Sequence, residues 1–146
     1  MASCIRYQQD GVTIAQVAAE AIELCGLARL ADRRGGALST GERRLVELTR
    51  AIAGDFRILL LDEPSSGLDG AETRRFGDIL REVIATRGTR ILLVEHDMSL
   101  ALEVSDYIYV IDLGAPVFEG TPAQVRLSEI VRSAYLGSSE AMEKAF

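Results

Sequence analysis

The stretch Ile58-Leu59-Leu60-Leu61-Asp62-Glu63-Pro64 decides the fold of this chain. Its four apolar residues form an uninterrupted run, which predicts a β-strand buried on both faces, as in parallel sheets. Proline cannot continue the strand, so the carboxylates of Asp62 and Glu63 come at its carboxyl end. Such a carboxylate can hold hydrated Mg²⁺ against nucleotide phosphates, and its neighbour can polarise an attacking water. Adjacent acidic residues are by themselves more often part of a turn.

A second buried strand is predicted at 91–94, after a helix with an apolar stripe over 76–84. A strand-helix-strand unit has a right-handed crossover, so the two strands should be parallel and should end at the same sheet edge. His96, the single histidine of the chain, follows the second strand. We therefore expect His96 to lie near Asp62 and Glu63, although a lone histidine is usually structural or simply exposed.

Two helices are predicted upstream, each beginning at a capping box: Thr13 with Gln16, and Ser39 with Glu42. At the second helix, Ser39 and Gly41 leave backbone N–H groups and a hydroxyl facing solvent, which favours phosphate binding. The capping box accounts completely for Ser39 and Glu42, so this segment by itself favours a plain capped helix. The two interpretations are compatible and both stay open.

The loop 65–69 follows the acidic residues directly, and Asp69 at its end has two possible roles. It can cap the next helix, or it can reach a neighbouring subunit. Further along, strands at 107–111 and 117–118 around Gly114 predict an antiparallel hairpin. Helices should follow from Thr121 and over 130–136, with the second one stopped by Gly137.

Composition restricts the possible partners and location of the protein. The 146 residues carry a formal net charge of -6, which argues against nucleic acid as a partner. The two cysteines, Cys4 and Cys25, have no metal-ligand or paired spacing, and this predicts a reducing, cytoplasmic location. No apolar run reaches the ~18 residues of a membrane span. Any membrane association should therefore depend on partner subunits.

Four motifs taken in order, LSTGE, ILLLDEP, SSGLD and EH, resemble the ATPase subunits of ATP-binding-cassette (ABC) transporters. The closing segments EGTPAQVR and IVRSAYLG are similar to those of branched-chain amino-acid importers. The resemblance implies an α/β, P-loop NTPase-like fold, of which residues 1–146 are the C-terminal part. Residues 13–54 would end the helical subdomain, 55–112 would form the Walker B, D-loop and H-loop core, and 113–146 would form the C-terminal hairpin and helices.

The resemblance also assigns roles at a dimer interface. Ser39 and Gly41 would contact the γ-phosphate of an ATP held mainly by the opposite subunit, and Asp69 would be the D-loop residue that communicates across the dimer. Two positions depart from the family pattern: Thr40 stands where glycine is common, and Glu42 stands where glutamine is common. The Ser39 and Gly41 positions themselves are kept.

On the chemistry, the resemblance implies that Asp62 holds Mg²⁺ through water and that Glu63 is the general base for the attacking water. His96 would be the switch residue at the γ-phosphate. However, the sequence contains no G-x-x-x-x-G-K-[ST] motif, and its single lysine is Lys144. The family's Q-loop glutamine is missing as well, so the chain is expected to be one part of a longer subunit and inactive alone.

The function implied for the complete protein is ATP hydrolysis that drives uptake of a solute, with an amino acid favoured. Its partners would be a second ATPase subunit and membrane permease subunits, which would hold it at the inner face of the cell membrane. The isolated chain should self-associate. Two alternatives are a naturally short, non-enzymatic binding module and an ABC-type ATPase of DNA repair. The acidic balance, the Glu95-His96 pair and the transporter-like C-terminus argue against DNA repair.

Overall fold

The computed structural model describes residues 13–54 and 56–135 of the chain. The chain divides into two compact units, Met1–Val94 and Glu95–Phe146, and each is described by itself. In the described ranges, no helix combines the length and apolar character required to cross a membrane.

The first unit begins with two packed helices, α1 (Ile14–Leu24) and α2 (Thr40–Ile52). Both start at the predicted capping boxes, which are complete in the structure. Gly26 follows α1 with φ +61°, a backbone conformation that favours glycine at the end of a helix. Two 3-10 turns, Ala28–Leu30 and Gly35–Ala37, connect the helices. The core positions of these elements are Ala21, Leu27, Leu30, Leu38, Leu45, Leu48 and Ile52.

The strand-helix-strand unit consists of β1 (Ile58–Asp62), α3 (Gly70–Arg87) and β2 (Arg90–Val94). The strands pair in parallel from Ile58↔Arg90 to Asp62↔Val94, which confirms the predicted topology. Helix α3 buries one apolar stripe, formed by Phe76, Ile79, Leu80 and Val83. Both strands therefore end at the edge that carries Asp62.

The prediction that these strands are buried on both faces is wrong. Leu59 is buried and lines a small cleft with Ile52 of α2 and Val83 of α3. Alternate side chains of a strand point to opposite faces, and within the described residues of the first unit no element covers the second face. We call this second face the open face; its residues and their exposed fractions are Ile58 61%, Leu60 69%, Leu92 59% and Val94 55%.

Two arginines of α3 connect it to the ends of the earlier helices. Arg75 Nη2 donates to the carbonyl oxygens of Cys25, at 3.1 Å, and of Gly26, at 3.0 Å, just after α1. Arg87 Nη1 donates to the carbonyl oxygen of Ile52 at the end of α2. The last carbonyls of a helix have no partner within the helix, and cationic donors stabilise them.

The second unit contains α4 (Met98–Val104), β3 (Ile108–Asp112), β4 (Ala115–Gly120), α5 (Pro122–Leu127) and α6 (Glu129–Tyr135). The two strands form the predicted antiparallel hairpin, with a register shift between Val110 and Ile111. Helix α5 begins at the capping box of Thr121 with Gln124. Gly137, the expected end of the last helix, lies outside the described residues. The core of this unit is Leu102, Val110, Val125 and Val131.

Candidate functional site

The two carboxylates of the motif lie where β1 leaves the sheet. Asp62 is exposed and pairs with Val94 in the last register position. Glu63 is also exposed, and its backbone N–H donates to the carbonyl oxygen of Val94 at 2.9 Å. A turn follows immediately, in which Ser66 N–H donates to the Glu63 carbonyl oxygen at 3.2 Å. Two consecutive acidic residues are thus exposed at the carboxyl edge of the sheet.

Glu63 has a left-handed backbone conformation, with φ +43°. For a residue other than glycine this conformation costs about 1 kcal/mol or more. Leu113, at the turn between β3 and β4, has a similar φ of +46°. Residues with such conformations cluster at active sites, so the backbone of Glu63 supports a site here together with its charge and its place at the strand end.

The first turn of α2 presents the predicted phosphate-binding residues. Ser39 Oγ accepts the backbone N–H of Glu42 at 3.1 Å, and Ser39 N–H donates to Glu42 Oε2 at 3.0 Å. The side chains of Ser39 and Thr40 are exposed, whereas Gly41 is buried. Capping therefore engages the Ser39 hydroxyl and leaves it at the surface.

Glu42 departs from the common family pattern, and it is surrounded by positive charge. Its Oε1 lies 3.3 Å from Arg29 Nη1, and its Oε2 lies 3.6 Å from Arg33 Nη1. The backbone hydrogen bond from Ser39, followed by the charges of Arg33 and Arg29, lowers the pKa of Glu42 below its usual value of 4.5. The additional negative charge at the start of this helix is therefore balanced by Arg29 and Arg33. Neither arginine was predicted from the sequence to lie here.

Asp69 caps α3, as the simpler of its two interpretations predicts. Its Oδ1 accepts the backbone N–H groups of Ala71 and Glu72, both at 2.8 Å. Glu72 Oε2 accepts the N–H of Asp69 at 3.0 Å and completes the box. In the same loop, the carbonyl oxygen of Ser66 accepts Arg44 Nε of α2 at 3.3 Å. The loop 65–69 therefore lies against the start of α2. The hydrogen bonds that Glu72 and Arg44 make here were not predicted from the sequence.

His96 belongs to the second unit and is exposed. Its backbone N–H donates to Glu95 Oε2 at 3.2 Å, and the next residue, Asp97, caps α4 through Ser99 N–H at 2.9 Å. The proximity of His96 to Asp62 and Glu63 stays a prediction.

Asp62 is the residue on which a Mg²⁺ site at the end of β1 would depend. Within residues 13–54 and 56–135, no three or more His, Cys, Asp or Glu residues are grouped so that they could hold a metal ion. Mg²⁺ at nucleotide sites commonly takes only one or two carboxylates and completes its shell with water and substrate phosphates. One exposed carboxylate at the strand end suits that mode of binding.

Comparison with known proteins gives a consistent result. The family model described as ABC transporter matches residues 5–66. The high-affinity branched-chain amino acid transport ATP-binding protein LivG of Escherichia coli K12 is 40% identical over 122 residues, covering 84% of this chain and 48% of LivG. The corresponding protein BraF of Pseudomonas aeruginosa is 39% identical over 124 residues, covering 85% of this chain and 49% of BraF.

The crystal structure of the ADP conformation of MJ1267, an ATP-binding cassette of an ABC transporter, matches the fold. Its TM-score is 0.76 at 27% identity, and the match covers 86% of this chain and 50% of that structure. The chain spans about half the length of the curated relatives it matches. The chain is homologous to the branched-chain amino acid transport ATP-binding proteins and has the P-loop NTPase fold of part of an ABC transporter ATPase domain.

Proposed function

We propose that this chain is part of the ATPase subunit of an ABC transporter that couples ATP hydrolysis to uptake of a branched-chain amino acid. The observation that carries the proposal is the pair of exposed carboxylates, Asp62 and Glu63, at the carboxyl edge of a parallel sheet. The names of LivG and BraF favour this solute class over other transported compounds, and transport over DNA repair.

Within the proposed site, Glu63 accepts a proton from the attacking water. The adjacent Asp62 would hold Mg²⁺ through water, and the ion would supply positive charge against the nucleotide phosphates. A general base must lie within hydrogen-bond reach of the proton that it takes. The backbone hydrogen bond of Glu63 to Val94, 2.9 Å long, supports this role because it holds the residue at the strand end. For His96, in the second unit, the proposed role is that of the switch residue at the γ-phosphate.

At the proposed dimer interface, the first turn of α2 meets the γ-phosphate of an ATP bound to a second ATPase subunit. Ser39 supplies a hydroxyl, and Gly41 supplies a backbone N–H of the first helical turn. The exposed position of Ser39 supports this role, and the positive end of the helix dipole favours an anion there. Asp69 communicates with the second subunit from the adjacent loop.

The complete subunit lies at the cytoplasmic face of the membrane, bound to permease subunits. The 146 residues contain no P-loop motif, whose backbone amides and lysine normally cradle the phosphates. We therefore infer that this chain alone does not hydrolyse ATP.

The proposal is tested by joining the chain to the part of BraF that lies outside the match, so that a full-length subunit is restored. We expect magnesium-dependent ATP hydrolysis that is abolished by Glu63→Gln. Hydrolysis that persists in the Glu63→Gln protein would remove Glu63 as the base. A folded chimera that binds magnesium-ATP but never hydrolyses it would contradict the proposed catalytic site.

A further inference from the structure

The carboxyl group of Glu72, in the first turn of α3, lies directly on Gly41 in the first turn of α2. A Cβ atom added to Gly41 would come closer than 3.0 Å to the carboxyl carbon and to both oxygens of Glu72. Real Cβ atoms essentially never show such distances. Gly41 is helical and not among the positive-φ residues, so its backbone conformation does not itself require glycine. Glycine is required at position 41 because the carboxyl group of Glu72 occupies the place that a side chain would take.

Moving the Glu72 side chain aside would break a hydrogen bond, because the same carboxyl group completes the cap of α3. Its Oε2 accepts the N–H of Asp69 at 3.0 Å, while its own N–H donates to Asp69 Oδ1 at 2.8 Å. Displacing the side chain would open a reciprocal capping box. The position of Glu72 over Gly41 is therefore determined by the helix that it caps.

One further contact joins the same segments. Arg44 Nε of α2 donates to the carbonyl oxygen of Ser66 at 3.3 Å. Ser66 and Glu72, at the two ends of the stretch 66–72, thus both contact α2.

We propose that Glu72 is a positioning residue that joins the loop 65–69 to the start of α2, so that the exposed residues Ser39 and Asp69 form one surface, with the buried Gly41 at the contact. Position 41 must then be glycine to leave room for the Glu72 carboxyl group, in addition to any contact that Gly41 makes with phosphate. That this surface contacts a nucleotide of a second subunit rests on the proposed function, whereas the packing of Glu72 on Gly41 is independent of it.

This packing is tested by a double-mutant cycle on the full chain, with urea unfolding as the measurement. Gly41→Ala should lower the urea midpoint, even though alanine is the better helix former. In a Glu72→Ala background the same change should become neutral or should raise the midpoint. Glu72→Gln keeps the volume and the cap, so Gly41→Ala should still be destabilising in that background. An equal effect of Gly41→Ala in all three backgrounds would overturn the proposal.

The positioning role is tested by amide hydrogen exchange, which reports local opening without requiring a soluble double variant. Glu72→Ala should speed exchange about fivefold, the size of a lost cap, at the hydrogen-bonded amides of residues 42–44, and Glu72→Gln should restore the slow rate. Gln124→Ala opens the equivalent box of α5 and should leave residues 42–44 unchanged. Faster exchange confined to 69–73 would mean that Glu72 only caps its own helix, and would sink the proposal. No nucleotide is present, so failure of the proposed ATPase activity leaves both results unchanged.

Discussion

The backbone N–H of Glu63 donates to the carbonyl oxygen of Val94 at 2.9 Å, one residue beyond the last paired position of the parallel sheet. The end of β2 thereby holds the backbone of a residue whose φ of +43° is unfavourable for a non-glycine side chain. Asp62 precedes it in regular strand conformation. The two adjacent carboxylates therefore leave the sheet from different backbone conformations, which is consistent with different roles.

The first prediction separates those roles in the full-length chimera with BraF. Glu63→Gln keeps the shape of the side chain and removes proton acceptance, so turnover should fall about 10²–10⁴-fold while magnesium-dependent ATP affinity is kept. Asp62→Asn should weaken that affinity as well, because it weakens the magnesium site. His96→Ala should resemble Glu63→Gln, because it leaves the metal ligand in place. Turnover and ATP affinity are measured on all three variants, and matching losses of affinity for Asp62→Asn and Glu63→Gln would refute the assignment.

The second prediction concerns nucleotide binding by the chain alone. We expect weak magnesium-ATP binding or none, because the sequence lacks the P-loop that supplies most phosphate contacts. Isothermal titration calorimetry measures this directly. A dissociation constant in the low micromolar range, or steady hydrolysis abolished by Glu63→Gln, would contradict this prediction, because this chain alone would then be sufficient for nucleotide binding or hydrolysis.

The third prediction concerns the open face, whose Leu60 and Leu92 are both more than half exposed. Exposed apolar patches and unpaired strand edges associate with other molecules. Light scattering should therefore show an apparent mass that increases with protein concentration. Combined Leu60→Lys and Leu92→Lys substitutions should reduce this increase, because each places a charge on the open face.

Leu113→Lys provides the matched control for the open face. Leu113 is a fully exposed leucine at the turn between β3 and β4, in the other unit. Its replacement should leave association unchanged. A wild-type mass that stays constant with concentration, or an equal effect of Leu113→Lys, would contradict association through the open face.

The fourth prediction is a pH dependence that arises at Glu42. The Ser39 N–H and the guanidinium groups of Arg33 and Arg29 lower the pKa of this carboxyl below 4.5. A lowered folded-state pKa means that the stabilisation is fully present above the unfolded-state value and is lost as the pH falls through the folded-state value. The free energy of unfolding should therefore decrease in this acidic range more for the wild type than for Glu42→Gln.

Urea unfolding at several pH values checks this difference, and Glu82→Gln serves as the control because it removes a carboxylate from the exposed side of α3. A wild type and a Glu42→Gln variant with parallel pH profiles would contradict the prediction. Added salt should also shrink the difference, since the two arginines are partly exposed.

Features that depend on residues close in sequence were predictable from the sequence alone. The capping boxes at Thr13, Ser39 and Thr121 involve residues three positions apart, and all are present. The strand-helix-strand unit followed from two apolar runs and the handedness of the crossover, and the positions of Asp62 and Glu63 at the strand end followed from Pro64. Each of these features is determined by local hydrogen bonding or by the direction of a short strand.

The tertiary structure alone decided which strand face is covered, how Glu42 is neutralised and what lies on Gly41. Burial of a strand depends on elements that other parts of a chain supply, so the apolar runs could not reveal the open face. Arg29 and Arg33 precede Glu42 by 13 and 9 positions, and Glu72 follows Gly41 by 31. Such pairs meet only through packing of the intervening helices and loops, because no repeating pattern in the sequence relates residues at those separations.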